Sequence, residues 1–294
     1  MNPSDRVAVV ILNWNKAELT RRCVDIAQES TALPVHWIVV DNASQEPLGE
    51  MPPNVTVIRN EVNKGFAGGV NVGLKHAFEH GADYAWLLNN DAETFPQALE
   101  HLVAAMQADP QIGLASSLIL NSDENDEIEF YGGYTEMGTS LVTKSAEQYA
   151  LWRRECPERI WLLGTALLIR RALVEKIGYF DDGLFAYHED NDISRRTAAA
   201  GFRSVVIAES KVRHPSGKHG EVMPRPPYYY YYMVRNDLLV LRKLRDPARA
   251  WYWSLRRHWR WYRSPEVPAA CRKAIRLGIV HGLLGRTGPM TAKF

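Results

Sequence analysis

The chain has 294 residues, of which 46% are hydrophobic and 23% are charged, and its formal net charge is +1. This balance is typical of a globular protein, and it excludes nucleic-acid binding that depends on a strong overall positive field. The three cysteines (Cys23, Cys156 and Cys271) are odd in number and lack Cys-x-x-Cys spacing, so we expect free thiols in a reducing compartment. No run reaches the about 20 apolar residues of a membrane span, and the first apolar run is too short for a signal peptide. We therefore expect a cytoplasmic protein.

The first half of the chain alternates apolar runs with segments of helical spacing. Strands are predicted at residues 7–12, 36–40, 55–59, 84–88 and 112–120. Helices are predicted at residues 16–30, 69–80 and 95–108. In the first helix, Leu19, Cys23 and Ile26 or Ala27 are expected to share one side. Strands that alternate with helices indicate an α/β fold with a mostly parallel sheet.

Three of the predicted strands end in polar residues. These ends are Asn13-Trp14-Asn15, Asp41-Asn42 and Asn89-Asn90-Asp91. Because the carboxyl ends of parallel strands meet at one edge of a sheet, they predict a ligand site there. The carboxylate of Asp91, with amide neighbours, suits Mg²⁺ or Mn²⁺ bridging two phosphates. Taken alone, Asp91 is better explained as a solvated turn residue, and it is the other two polar strand ends that favour a ligand site.

The second half is less regular. A turn is predicted around Gly132-Gly133, a strand at 161–169 and a helix at 189–200. Glu189 and Asp190 in the first turn of that helix suit either helix capping or a general base with a supporting carboxylate. His214 suits a further metal ligand or an ordinary loop residue.

The glycine-rich segment 63–69 approaches a helix and could present backbone N–H groups to phosphate. It lacks the Gly-Lys-Ser/Thr ending of a nucleotide-hydrolase loop. It also follows the third strand, whereas a dinucleotide fingerprint follows the first. The first strand leads into Asn13 with no glycine, which argues against a dehydrogenase.

From Tyr228 onward the pattern is helical, and eight Lys or Arg residues with one acid, Asp246, lie between 242 and 263. Two opposite helix faces are expected: an aromatic face of Trp251, Leu255, Trp259 and Tyr262, and a basic face of Arg249, Arg256, Arg260 and Arg263. This pattern suits a membrane interface, and packing on the rest of the protein is the alternative. Nucleic-acid binding is not expected, given the overall charge.

In chain order, these segments resemble the motifs of an inverting family 2 glycosyltransferase with the GT-A fold, close to the rhamnosyltransferase-like branch. The resemblance runs from Val7 to about Asn236. It is carried by LNWN (12–15), VDNAS (40–44), NKGFAGGVN (63–71), LNND (88–91), GTALLIRR (164–171), GYFD (178–181), YHEDND (187–192) with Arg195, His214, and YYMVRN (231–236).

The resemblance implies an α/β GT-A fold: a nucleotide-binding, mostly parallel sheet flanked by helices, a smaller mixed acceptor-side region and C-terminal helices. It implies a catalytic domain at 1–236 and a basic, aromatic helical extension at 237–294. The tyrosines at 228–232 are expected in the core or on the acceptor side.

Site roles follow from the resemblance by position. The donor nucleotide is expected to contact Asn13, Asn15, Asp41, Asn63, Gly65, Asn71 and Asn90, with Asp41 accepting from the N3–H of uracil or thymine. The Mg²⁺ or Mn²⁺ ligands implied are Asp91, His214 and Asn89. Asn89 departs from the two-acid form of the family's metal motif, which weakens metal binding without donor. Asp190 is the implied base and Glu189 its support.

The leading expectation is a metal-assisted transfer of L-rhamnose from dTDP-L-rhamnose to a saccharide or lipid-linked saccharide, with inversion, in cell-surface polysaccharide synthesis. Alternatives are a UDP-hexose transferase and a non-catalytic binding or scaffold protein. A nucleotidylyltransferase would require a glycine-rich loop after the first strand, which is missing. Residues 248–263 are expected to contact the inner face of the cytoplasmic membrane.

Overall fold

The computed structural model describes residues 6–121, 125–214 and 225–292. In these ranges the strands are β1 (Val7–Asn13), β2 (Val35–Asp41), β3 (Val55–Arg59), β4 (Tyr84–Asn89), β5 (Glu93–Thr94), β6 (Ile112–Asn121), β7 (Ile128–Phe130), β8 (Gly132–Glu136), β9 (Thr139–Thr143), β10 (Ile160–Trp161), β11 (Ala166–Arg170) and β12 (Arg203–His214). The helices are α1 (Ala17–Glu29), α2 (Gly65–Glu79), α3 (Ala98–Ala108), α4 (Ala146–Glu155), α5 (Arg171–Ile177), α6 (Glu189–Ala199), α7 (Pro227–Lys243), α8 (Ala248–Arg263) and α9 (Ala269–Leu284).

The main sheet has the strand order β3-β2-β1-β4-β11-β6-β12-β5, with β7 beside β6. The first four strands are parallel, as are β6 and β12, while β11 runs antiparallel between β4 and β6. The prediction of an α/β fold with a mostly parallel sheet is confirmed. Because β1, β2 and β4 are parallel neighbours, their polar ends lie at one edge.

Strand β1 is buried along almost its whole length, as its unbroken apolar run predicts. Helix α2 packs on it closely because Gly73 faces Val10 and Val40, where a Cβ atom would clash with Val10. This approach brings the N-terminus of α2 to the polar edge of the sheet.

The core-facing side of α1 differs from the predicted one. Cys23 and Ala27 are buried as expected, but Leu19 is 39% exposed and Thr20 is fully buried. The reason is polar: the Thr20 hydroxyl donates to the Asn13 side chain at 2.8 Å, which turns position 20 inward.

The predicted single strand at 161–169 is wrong, because the chain changes sheets there. Its first part is β10, which pairs with β8 and, through β8, belongs to a small sheet with β9. Its second part is β11 in the main sheet. Between them, the carbonyl of Thr165 accepts from the backbone N–H of Asn89 at 2.9 Å. The turn predicted at Gly132-Gly133 is also wrong, since both residues belong to β8, where they leave room for Tyr149 and Trp161.

The C-terminal helices pack around α7. Helix α9 runs parallel to α7, with Gly278 against Val234 and Gly282 against Leu238. Helix α8 runs antiparallel to it. The predicted division after residue 236 falls inside α7, which is one continuous helix.

Helix α8 buries a third face that the sequence pattern did not indicate. This face consists of Ala250, Ser254 and His258. The carboxylate of Asp237 accepts from Ser254, from His258 at 2.8 Å and from Arg257 at 2.7 Å. Of the predicted aromatic face, Trp251, Leu255 and Tyr262 are half-buried and pack against buried clusters, while Trp259 is 54% exposed. The predicted basic face is exposed.

All three cysteines are free thiols. Among the helices that the structure describes, none combines the length and apolar character that spanning a bilayer requires.

Candidate active site

A cavity of about 520 Å³ opens at the carboxyl edge of the parallel strands. One part of its lining is polar and comes from the strand ends and the loop before α2: Asn42, Asn63, Gly65, Asn89, Asn90 and Asp91, with Lys16. The other part is mainly apolar and aromatic: Leu12, Trp14, Phe66, Phe185, Ala186, Tyr187, Tyr228, Tyr232, Pro289 and Met290. A concave site with few polar groups on a largely apolar wall is typical of small-molecule binding.

The end of β4 brings together the three predicted metal ligands. The Asp91 carboxylate lies 3.2 Å from Nε2 of His214, at the end of β12. The Asn89 side-chain nitrogen lies 3.3 Å from the same Nε2 atom. Burial opposes ionisation of Asp91, but the hydrogen bond and charge of His214 outweigh it and lower the pKa of Asp91.

This donor set fits a divalent cation. Within the described ranges, no group of three or more His, Cys, Asp and Glu side chains is arranged to hold a metal ion, and the end of β4 offers one carboxylate, one imidazole and one amide. Rotating the Asn89 amide presents its oxygen instead of its nitrogen. Such a set suits Mg²⁺ or Mn²⁺ whose remaining positions are filled by water or substrate oxygens.

Lys16 provides a positive charge in the same cavity. Its charge favours the ionised form of Asp91, which shows that the two groups are within electrostatic reach. The side chain is exposed and can move toward a bound anion. Sequence reasoning did not select Lys16 because an exposed lysine after a strand carries no distinguishing signal.

Asn13 and Asp41 lie behind the cavity wall rather than on it. Both are buried, and Asn13 donates to the Asp41 carboxylate at 3.3 Å. The Asp41 carboxylate also accepts from Arg59 and from the backbone N–H of Ser44. Asn15 likewise stands outside the lining and accepts from the backbone N–H of Gln45 at 2.7 Å. Their donor contacts remain predictions.

The glycine-rich loop shapes the entrance to α2. The Asn63 side chain accepts from the N–H of Gly65 at 2.7 Å and from the amide of Asn42 at 3.0 Å. Gly65 has φ +72°, and a Cβ atom there would overlap Phe185. Asn71 lies away from the cavity and ties α2 to the 178–181 segment through both backbone groups of Phe180. Asn90 does line the cavity and donates to Thr20 at 3.0 Å.

Glu189 and Asp190 begin α6, as predicted. The Asp190 carboxylate accepts from the backbone N–H groups of Asn191 and Gly164. Phe66, which lines the cavity, lies beside Gly164, so the Asp190 carboxylate is close behind the cavity wall. Burial raises the pKa of both acidic groups, and the charge of Asp190 raises that of Glu189 further. The two N–H donors favour ionised Asp190, so Glu189 holds a proton more readily than Asp190 does.

Sequence reasoning missed most of the apolar wall. Trp14 and Phe66 lie inside the LNWN and NKGFAGGVN motifs, and the polar residues beside them carry the stronger sequence signal. Pro289 and Met290 carried no signal, because their position in the cavity depends on how α9 packs on α7.

A protein-family model, Glycosyl transferase family 2, matches residues 8–178, which is more than half of the chain. The chain belongs to this family. It is a glycosyltransferase, and this match argues against the alternative of a non-catalytic binding or scaffold protein.

Two curated relatives illustrate the range of donors. The transferase is 24% identical over 220 residues to galactofuranosyltransferase GlfT1 of Mycobacterium tuberculosis, covering 73% of this chain and 71% of that protein. It is 25% identical over 234 residues to the N-acetylglucosaminyl-diphospho-decaprenol L-rhamnosyltransferase of the same organism, covering 72% and 76%.

Solved structures share the fold. The mannosyltransferase PcManGT from Pyrobaculum calidifontis, in complex with GDP-Man and Mn²⁺, has a TM-score of 0.57 at 17% identity, covering 97% of this chain and 72% of that one. GalNAc-T7 with UDP, GalNAc and Mn²⁺ has a TM-score of 0.65 at 18% identity, covering 95% and 56%. The predicted GT-A fold is confirmed.

Proposed function

We propose that this transferase moves L-rhamnose from dTDP-L-rhamnose to a saccharide or lipid-linked saccharide, by single displacement with inversion. The observation that carries the proposal is one cavity that has Asp91 on its wall, His214 paired with Asp91, and the Asp190 carboxylate close behind the wall. The choice of rhamnose is supported by the rhamnosyltransferase relative at 25% identity. A UDP-hexose donor is the second candidate, and the galactofuranosyltransferase relative favours donors other than rhamnose.

The donor nucleotide is bound by the polar part of the cavity. Asn63 and Gly65, which line the cavity, border the ribose and diphosphate. Asp41 and Asn13 recognise the pyrimidine ring after a rearrangement that frees the Asp41 carboxylate from Arg59. Lys16 neutralises part of the diphosphate charge.

Asp91 and His214, with the amide oxygen of Asn89, would hold Mg²⁺ or Mn²⁺, which stabilises negative charge on the leaving diphosphate when it is bound. The ionised Asp190 accepts the proton of the acceptor hydroxyl, whose oxygen attacks the anomeric carbon from the face opposite the diphosphate. The bond between that carbon and the diphosphate oxygen breaks, and the nucleoside diphosphate leaves. Glu189 retains its own proton and so leaves the Asp190 carboxylate free to act as base.

The outer side of α8 is proposed to hold the enzyme at an anionic membrane, where a lipid-linked acceptor is available. Tyr252, Trp253 and Trp259 are 55%, 41% and 54% exposed. The guanidinium of Arg256 lies over Trp253, and that of Arg263 lies over Trp259. Aromatic rings beside arginines suit the headgroup region of a bilayer. The acceptor named in the rhamnosyltransferase relative is a decaprenol diphosphate sugar.

The test measures nucleoside diphosphate release from dTDP-rhamnose, UDP-glucose, UDP-galactose and UDP-N-acetylglucosamine, with Mn²⁺ or Mg²⁺ and a lipid-linked acceptor. We expect turnover of dTDP-rhamnose, reduced roughly 10²–10⁴-fold in Asp190→Asn, the usual contribution of a general base. Asp91→Ala should lose the metal dependence as well. Asp25→Asn, a change of an exposed carboxylate on α1, is the control and should leave the rate unchanged.

If a UDP-sugar is turned over instead, the proposed donor is wrong and the proposed mechanism stands. Full activity of Asp190→Asn would contradict the assignment of the base.

A further inference from the structure

Residues 184–188 connect the cavity wall to the acidic residues of α6. Phe185 and Tyr187 line the cavity, and Glu189 and Asp190 follow directly. Three residues of this segment have left-handed backbone conformations without being glycine: φ is +65° at Phe185, +69° at Tyr187 and +67° at His188. Such conformations cost free energy and persist only where neighbouring structure imposes them.

The Asn236 side chain supplies one such restraint. Its amide nitrogen donates to the carbonyl oxygens of Leu184 at 2.9 Å, Ala186 at 2.7 Å and Tyr187 at 2.8 Å. Asn236 is fully buried in α7. The two N–H groups of one side chain are therefore shared among three backbone acceptors of a single turn, which sets the path of the chain.

The adjacent Arg235 adds a second restraint. Its guanidinium donates to the carbonyl oxygens of Leu184 at 2.8 Å and Gly288 at 2.5 Å, and its Nε atom donates to the Asn236 side chain at 2.8 Å. The backbone N–H of Gly288 in turn donates to the carbonyl of Gly183 at 2.7 Å. Arg235 is 0% exposed, so these contacts form in a desolvated setting.

The same contacts reach the donor side of the cavity. Pro289 and Met290 follow Gly288 and line the cavity, and the N–H of Met290 donates to the Tyr232 hydroxyl at 2.7 Å. At the other end, the carbonyl of Phe185 accepts from the N–H of Ala67 in α2 at 3.2 Å. Residues 184–188 are thus connected to the start of α2, to residues 288–290 and to α6.

We propose that Arg235 and Asn236 are positioning residues for sugar transfer: they hold residues 184–188 in the strained conformation that places the Asp190 carboxylate relative to the bound donor. They contact backbone atoms, not substrate. The inference depends on the proposed function only in taking Asp190 as the base.

The experiment compares Asn236→Ala and Asn236→Asp with Leu241→Ala. The aspartate has nearly the volume of asparagine but replaces the N–H donors with acceptors. Leu241 is also buried in α7 but packs with Leu238 and Ala250, away from residues 184–188. Transfer kinetics at a temperature where all variants are folded are measured beside hydrogen exchange of a peptide covering 183–190.

In both Asn236 variants we expect kcat to fall roughly 10²-fold, the effect of a catalytic group displaced by about 1 Å. Exchange in the 183–190 peptide should rise in both. Leu241→Ala should lose thermal stability while keeping kcat within a few-fold of the wild-type value and leaving the 183–190 exchange unchanged.

The proposal is overturned if Asn236→Asp keeps wild-type kcat, since packing volume alone would then suffice. It is also overturned if Leu241→Ala lowers kcat as much as Asn236→Ala, since general destabilisation would then explain both. If the Asn236 variants do not fold, Arg235→Lys removes the planar fork and keeps the charge, and unchanged kcat with unchanged 183–190 exchange would contradict the proposal. A failure of the base assignment is seen separately, as full activity of Asp190→Asn with the 183–190 exchange unaltered.

Discussion

Gly65 shows how one residue can control the cavity. Its backbone is left-handed, with φ +72°, and the space where a side chain would begin is filled by the carbonyl and ring of Phe185. The residue therefore meets two requirements together, a conformation that glycine adopts without strain and a close contact between two walls of the cavity. A side chain here would separate the glycine-rich segment 63–69 from residues 184–188.

Gly65→Ala is expected to weaken dTDP or UDP binding at least tenfold, because the clash displaces Phe185 from the cavity wall. Gly201→Ala is a matched control: φ is +81° there, and no atom lies within 4 Å of the position that a Cβ atom would occupy. Both changes carry a similar backbone cost of about 1–2 kcal/mol. Calorimetric titration with nucleotide measures the affinity, and equal affinities of the two variants would contradict the argument.

At the scale of elements, the contact between α7 and α8 depends on a buried charge. Asp237 is 6% exposed and accepts from Ser254, Arg257 and His258. Burial alone would raise its pKa, but the hydrogen bond from His258 and the nearby positive charges lower the pKa of Asp237 to about 2. Removing the charge leaves Arg257 without its buried partner, which is more costly than losing an exposed ion pair.

Asp237→Asn is expected to lower the free energy of unfolding by about 3 kcal/mol at pH 7. Because the folded-state pKa lies below the ordinary value of about 3.9, the contribution of Asp237 is complete above that pH and is lost as the pH falls toward 2. Urea unfolding at pH 7, 4 and 3 measures this. The difference in free energy of unfolding between wild type and Asp237→Asn should be smaller at pH 3 than at pH 7.

Glu93→Gln removes the exposed pair of Glu93 with Arg22 and should cost at most about 1 kcal/mol. If the loss of unfolding free energy in Asp237→Asn is the same at all three pH values, the charge of Asp237 is not the cause of that loss.

At the scale of the whole molecule, the distribution of charge over the surface says more about possible binding surfaces than the net charge does. The net charge is only +1, yet the outer side of α8 carries Arg249, Arg256, Arg260 and Arg263. These arginines are exposed because α8 packs on α7 through Ala250, Ser254 and His258, with Trp251 and Leu255 half-buried beside them. The chain thereby presents a local basic and aromatic surface that its overall charge does not indicate.

Arg256→Glu combined with Arg260→Glu is expected to weaken binding to phosphatidylcholine vesicles containing phosphatidylglycerol by at least about tenfold, since each arginine near an anionic surface contributes about 1 kcal/mol. Cosedimentation measures the binding, and vesicles of phosphatidylcholine alone give the uncharged reference. Arg22→Glu on α1 reverses another exposed charge and should have little effect. Equal losses in both variants would point to net charge, and no binding by the wild type would exclude the membrane proposal.

The sequence by itself determined the α/β fold, the family and the ends of the parallel strands. Those signals are local: an apolar run such as 7–12 predicts a strand buried on both faces, and polar residues after it predict an edge where ligands collect. The departure at Asn89 and the acidic start of α6 were likewise readable directly, as were the free cysteines.

The tertiary structure decided what depends on contacts between distant segments. It turned Thr20 rather than Leu19 inward, divided the 161–169 strand between two sheets, and brought Met290 to the cavity that Asp91 lines. Helix α8 shows the reason most clearly. Its pattern gave an aromatic and a basic face, but the fully buried face is a third one, because Ser254 and His258, with the adjacent Arg257, donate to the Asp237 carboxylate on α7. A buried charge must be paired, and its partners belong to another helix, so periodicity within one helix cannot reveal them.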